Sequence, residues 1–149
     1  MNAMTDALVQ FLRDRLNEDE KAARQAADLG QWALGEASDD ERNWVYQGEY
    51  GSMVIECQRR ADAIHIVRHD PARVLAEIQA HHTNVDEYEI ALWAKTEPQD
   101  AACWEARRAT LEEVCLRLAT VYADHPECRE EWRPMGAACG HGAANSPSA

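Results

Sequence analysis

Two histidines four residues apart, His65 and His69, are the residues of this sequence best spaced for chemistry. On a helix that spacing puts both imidazoles on one face, where they can chelate a transition metal if a third ligand arrives from elsewhere. Two further residues are candidates for that role. Asp19, at about 100° per residue, falls between Leu8, Leu12 and Ala23, inside an apolar stripe. An unpaired carboxylate there is costly, so Asp19 reads either as a metal ligand or general base, or as a carboxylate paired with an arginine or capping a neighbouring element. His125 lies in the turn Asp124-His125-Pro126 and reads either as a third ligand or as a residue near a helix cap. If Asp19, His65, His69 and His125 converge between helices, they form a His/Asp site for a divalent transition metal such as zinc, of the kind helical bundles build. The structural alternative for His69 is an imidazole favoured by the dipole near a helix C-terminus.

Other chemistries have less to draw on. Ile66, Val67 and Arg68 stand between the two histidines, without the Glu of an HExxH motif, so a zinc peptidase has no support. Five cysteines, at 57, 103, 115, 128 and 139, form no CxxC pair and are odd in number, which points to neither a disulfide framework nor a Cys-only zinc site. Cys115 falls on an apolar stripe, where a thiol behaves as a small hydrophobe of ordinary or raised pKa. His81 and His82 are adjacent and so diverge on a helix; Cys139 and His141 fall near the C-terminus, and neither pair is assigned a role. GxSxG, P-loop, GxGxxG and DxDxDG patterns are absent.

The elements that must position these residues are mostly helical. Leu8, Val9, Phe11, Leu12, Leu16, Ala23, Ala26 and Ala27 recur at three- and four-residue spacing and predict a helix from Thr5 to about Leu34, with Gly30 able to shorten it. Residues 35–40 read as a polar connection. Trp44-Val45-Tyr46 and Met53-Val54-Ile55, separated by a segment with two glycines, predict a short β-hairpin; a helix from Ser52 onward is the competing reading. A helix should cover about Gln58 to Arg68. Asp70-Pro71 then starts another, with Asp as N-cap and Pro at N1, whose stripe is Val74, Leu75, Ile78, His82, Val85, Glu89 and Leu92 and which continues to about Lys95. Thr96-Glu97-Pro98-Gln99 has the form of a capping box for a helix to about Tyr122, striped by Trp104, Leu111, Val114, Cys115, Leu118 and Val121. These two should pack as a long helical hairpin. A short turn or helix, Glu127 to Trp132, closes a single domain over residues 1–134, and residues 135–149, built from Gly, Ala, Ser, Pro and Asn, are expected to form a disordered tail.

Composition narrows the partners. The 149 residues carry 15 Lys and Arg against 27 Asp and Glu, a net charge of -12 that repels phosphate backbones and anionic membranes, so nucleic-acid binding is disfavoured. No stretch approaches the roughly 18 apolar residues of a spanning helix. The start of the chain lacks the continuous apolar segment of a secretory signal, and the expected address is cytoplasmic.

Four stretches together resemble a known family: Ala7 to Glu20 (ALVQFLRDRLNEDE), His65 to Leu75 (HIVRHDPARVL), Tyr122 to Pro126 (YADHP) and Arg129 to Pro134 (REEWRP). They are similar to an actinobacterial family called domain of unknown function 6221, whose middle motif usually reads HIARHDPARVL and whose end reads YADHPDYREEWRP. The sequence departs from it where Cys128 replaces an aromatic residue and His81-His82 a basic pair. The resemblance implies an actinobacterial source and an intracellular setting; it implies no activity and assigns no functional residue. Asp19, His65, His69, Asp70, Asp124 and His125 all lie in the matching stretches.

The expectation from sequence is therefore a mostly α protein, a small helical bundle with a short β-hairpin. Its function is expected to be that of a non-enzymatic protein-interaction or regulatory module, which binds a protein partner or itself through an apolar face anchored by Trp44, Tyr50 or Trp93. The alternative is a metal-binding protein or metal-dependent hydrolase built on the His/Asp set.

Overall fold

The first apolar stripe folds as helix α1 (Ala3–Ala27), which buries Leu8, Phe11, Leu12 and Leu16. The computed structural model describes residues 3–28, 30–35, 43–48, 51–94 and 97–133, with backbone alone for Ala3 and Met4. Helix α1 ends at Ala27, short of the expected Leu34. Gly30 is the reason: it takes φ 103°, a left-handed conformation that favours glycine, and its N–H donates to the Ala27 carbonyl at 2.9 Å. A Cβ at Gly30 would also stand 3.2 Å from the Gly48 Cα, so the close approach of the two chains needs glycine as well. Gln47 then satisfies the helix end by donating to the carbonyls of Ala26 (2.5 Å) and Gly30 (3.2 Å).

The turn at Gly30 releases Trp32–Leu34 as strand β1, which pairs antiparallel with β2 (Trp44–Gln47); β2 in turn pairs antiparallel with β3 (Ser52–Glu56). The predicted hairpin is present and gains a third strand, Trp32–Leu34, whose three residues also fit the helical spacing that predicts α1 as far as Leu34. A bulge between Val45 and Tyr46 shifts the β2–β3 register. Val45, fully buried, packs with Cys57 and with Ala63 of helix α2 (Arg60–Arg68), and Trp32, Leu34, Ile66 and Val67 surround this second, smaller core.

Helix α3 (Pro71–Trp93) begins where Asp70-Pro71 predicts, with the Asp70 carboxylate accepting from the Arg73 N–H at 2.9 Å. Helix α4 (Ala101–Ala119) continues into a 3₁₀ turn, Thr120–Tyr122. The predicted capping box does not start α4. Thr96 lies outside the described residues, Glu97 and Asp100 form a turn through a 2.9 Å backbone bond, and the helix opens only at Ala101.

Helices α1 and α3 run antiparallel. Arg13 pairs with Asp86 (2.7 Å) and Glu89 (2.5 Å), while farther along α1 Glu20 approaches His82 (3.8 Å). Helix α4 returns along α3, with Arg107 on Glu87. The main core joins Leu12 and Leu16 to Ile78, Val85, Tyr88 and Cys115. Tyr88, 1% exposed, stood outside the expected stripe because α3 is covered on two sides and buries a wider arc than a two-helix contact requires. Val121, expected on the α4 stripe, is 73% exposed: the 3₁₀ turn tightens to three residues per turn and rotates it outward. Of the predicted closing helix, Glu130–Trp132 forms a 3₁₀ turn that lays Trp132 on Phe11, ring centroids 5.1 Å apart. The expected tail, 135–149, lies outside the described residues.

Candidate functional site

The four residues considered as metal ligands go to three different tasks. His69 ends α2: its N–H donates to the carbonyls of His65 and Ile66, and its Nδ1–H donates to the His65 carbonyl at 2.9 Å. His65 stays beside it, ring centroids 4.4 Å apart. The segment His69-Asp70-Pro71 is therefore a helix end followed at once by a helix start, and Arg73 reinforces both by donating to the Arg68 carbonyl at 3.1 Å.

His125 meets Arg15, the only buried charged residue among the described ones. Arg15 Nη1 contacts both ring nitrogens of His125, and its Nη2 reaches Glu18 at 3.0 Å and Glu127 at 3.4 Å. The guanidinium also lies over the Phe11 ring, 5.8 Å from its centroid. A guanidinium has donors only, so the imidazole is the acceptor that holds it.

Asp19 is not sealed in the core. Beyond Leu16 the stripe of α1 opens to solvent, Asp19 is exposed, and its carboxylate accepts from the Tyr122 hydroxyl at 2.7 Å instead of meeting an arginine. Among the described residues no group of three or more His, Cys, Asp or Glu side chains is placed to hold a metal ion. The expected partner anchors are equally dispersed. Trp44 is half-buried against Tyr46, Trp93 is 56% exposed at the far end of α3, and Tyr50 lies outside the described residues.

The opening beside Asp19 is itself a candidate site, a groove of about 410 Å³. Leu16, Ala22, Ala23 and Ala26 of α1 form one wall. Pro71, Val74 and Ile78 of α3 face them, Trp32 of β1 closes one side, and Val121 and Tyr122 close another. Its lining carries the polar side chains of Asp19, His69, Glu77 and His81 and the Tyr122 hydroxyl, and among the described residues no lysine or arginine lines it. Its existence follows from side-chain size, since three alanines on α1 leave unfilled the space that leucines fill nearer the helix start. Glu77 is held below the usual carboxylate range by its hydrogen bond from Arg73 (2.7 Å). Trp32 Nε1 and His81 Nδ1 are buried without hydrogen-bond partners among the described residues. Asp19, the acidic interruption of an apolar stripe, was the sequence signal for this place. Ala22, Ala26, Trp32 and Val121 gave none, because small and apolar residues at helical spacing read as core.

Two tyrosines, Tyr88 in the main core and Tyr122 on the groove, govern behaviour at high pH. Burial and the charge of Glu112 push Tyr88 up to about 12, and burial together with the hydrogen bond to Asp19 raises Tyr122. The folded protein therefore keeps phenol protons that the unfolded chain sheds from about pH 10 upward. The unfolded state then binds fewer protons, so stability falls as pH rises from about 10 toward 12. Urea midpoints are expected to be lower at pH 11 than at pH 8, with a smaller drop for Tyr88→Phe; equal drops in both proteins would refute the assignment to Tyr88.

No curated protein and no solved structure matches the chain. One family does, described as a family of unknown function (DUF6221), over residues 5–134, a span that holds all four stretches behind the resemblance. Asp19, His69, Pro71 and Tyr122, drawn from three of those stretches, come together on one groove, and the chain they belong to is a member of the DUF6221 family.

Proposed function

We propose that this chain is a non-enzymatic interaction module that takes an apolar segment of a protein partner into the groove between α1, β1 and the start of α3. The observation that carries this reading is the groove itself: apolar walls, a volume of about 410 Å³, and Val121 standing 73% exposed on its lining. Concave apolar surfaces rimmed by a few polar groups are where ligands and partner side chains dock. Three further facts support it. His69 and His125, which chemistry would have claimed, are engaged in holding the chain. Burial pushes the Cys115 thiol up to about 12, which keeps it protonated and unreactive. The net charge of -12 favours a protein partner over a nucleic acid. The free thiols of Cys57, Cys103, Cys115 and Cys128 suit a reducing cytosol, and no described helix is long and apolar enough to cross a membrane.

Selection of a random-peptide phage library tests the proposal. Peptides recovered on the wild-type protein are expected to bind Ala22→Trp at least about ten-fold more weakly, a loss of about 1.4 kcal/mol, because an indole at this exposed lining position fills the groove. Matched thermal melts of the two proteins exclude unfolding as the cause. Recovery of no peptide that distinguishes them would overturn the reading.

A further inference from the structure

We infer that the segment the groove receives is basic: an arginine or lysine between apolar residues, its cation on Asp19 and its neighbours against Ala22, Val74 and Val121. This rests on the groove being a docking site, as proposed above, and adds the chemistry of its occupant. Asp19 sits at the groove with one oxygen on the Tyr122 hydroxyl and makes no ion pair with a described residue. The second carboxylate on the lining, Glu77, is already engaged by Arg73 at 2.7 Å, so Asp19 is the carboxylate left for an incoming cation, and among the described residues no lysine or arginine lines the groove. The wider field agrees, since a net charge of -12 draws cationic segments toward the protein and repels acidic ones.

The walls suit the rest of such a side chain. Arginine and lysine carry apolar stems that lie along apolar surface while the charged head reaches a polar group. Ala22, Ala26 and Val74 offer that surface, and Tyr122 and Trp32 place aromatic rings on the same lining, where a cation is favoured over a neutral group.

The test extends the phage selection with synthetic peptides and two charge variants of the full chain. Asp19→Asn retains an acceptor for the Tyr122 hydroxyl and removes the charge. Asp14→Asn makes the same change in net charge at an exposed position of α1 that bonds Gln10 and does not line the groove. Groove-dependent peptides are expected to carry Arg or Lys, to bind Asp19→Asn about ten-fold more weakly, and to be unaffected by Asp14→Asn. Replacing the basic residue by norleucine should cost the same ten-fold on wild type and nothing further on Asp19→Asn, the signature of a direct pair. Peptides that are lost on Ala22→Trp yet lack a basic residue, or ignore Asp19→Asn, would overturn the basic occupant and leave the docking groove standing. Recovery of no groove-dependent peptide would overturn both.

Discussion

Trp132→Ala is expected to lower the free energy of unfolding by about 3 to 4 kcal/mol, at the level seen when a buried aromatic ring is truncated. Trp132 is 4% exposed although it stands near the end of the matched region. Its ring lies 5.1 Å from Phe11, and the Arg129 guanidinium covers it at 5.0 Å. Phe11 also makes edge contacts with Tyr122 (6.2 Å) and His125 (5.9 Å), so one ring of α1 gathers three residues of the C-terminal segment. Removing the indole opens a space that this short segment has no second layer to fill. Trp132→Phe keeps the contact with Phe11 and should lose about half as much. Urea denaturation of both variants measures the effect; a loss under about 1 kcal/mol for Trp132→Ala would mean that the closing 3₁₀ turn contributes little to the fold.

The same contact explains why REEWRP belongs to the signature of the chain. The motif is visible in the sequence but its contact is not, because a tryptophan in a three-residue 3₁₀ turn has no periodicity to mark where it packs. Asp70-Pro71 was legible for the opposite reason: a cap is a local device, and residue type alone states what Asp and Pro do at adjacent positions. The hairpin was legible from its β-branched and aromatic runs, whereas β1 was hidden because three residues are too few to set a period of two against a period of 3.6. At the groove the limit was of another kind. Helical spacing put Asp19 correctly beside Leu12 and Ala23, but whether that part of the stripe is covered depends on the elements that arrive from residues 32, 71–78 and 121–122, and on how small the alanines there are. Pattern gives the direction a side chain faces; only the packing of distant segments decides whether anything stands opposite.

The clasp between Arg15 and His125 should show how a buried charge behaves when its acceptor is lost. His125→Ala is expected to destabilise by about 3 kcal/mol, because it leaves a guanidinium inside the fold without the imidazole that receives it. The remaining partners compensate only in part: Arg15 has 9% of its side chain exposed, whereas Glu18 and Glu127 are 65% and 67% exposed and hold it from the solvent side. Arg15 Nε is already without a partner among the described residues, so the site has little reserve. Removing the cation instead gives a different result. Arg15→Met keeps an apolar stem of similar length over Phe11 and frees both glutamates to water, and it is expected within about 1 kcal/mol of wild type. The double variant Arg15→Met/His125→Ala should then be more stable than His125→Ala alone, since removing both members of a polar pair leaves nothing buried and unsatisfied. A role for His125 in packing alone predicts additive losses, whereas a role as acceptor for a buried cation predicts that the second substitution restores part of what the first removed. Urea unfolding of the three variants at one pH separates the two, and equal or greater instability of the double variant would exclude the acceptor role.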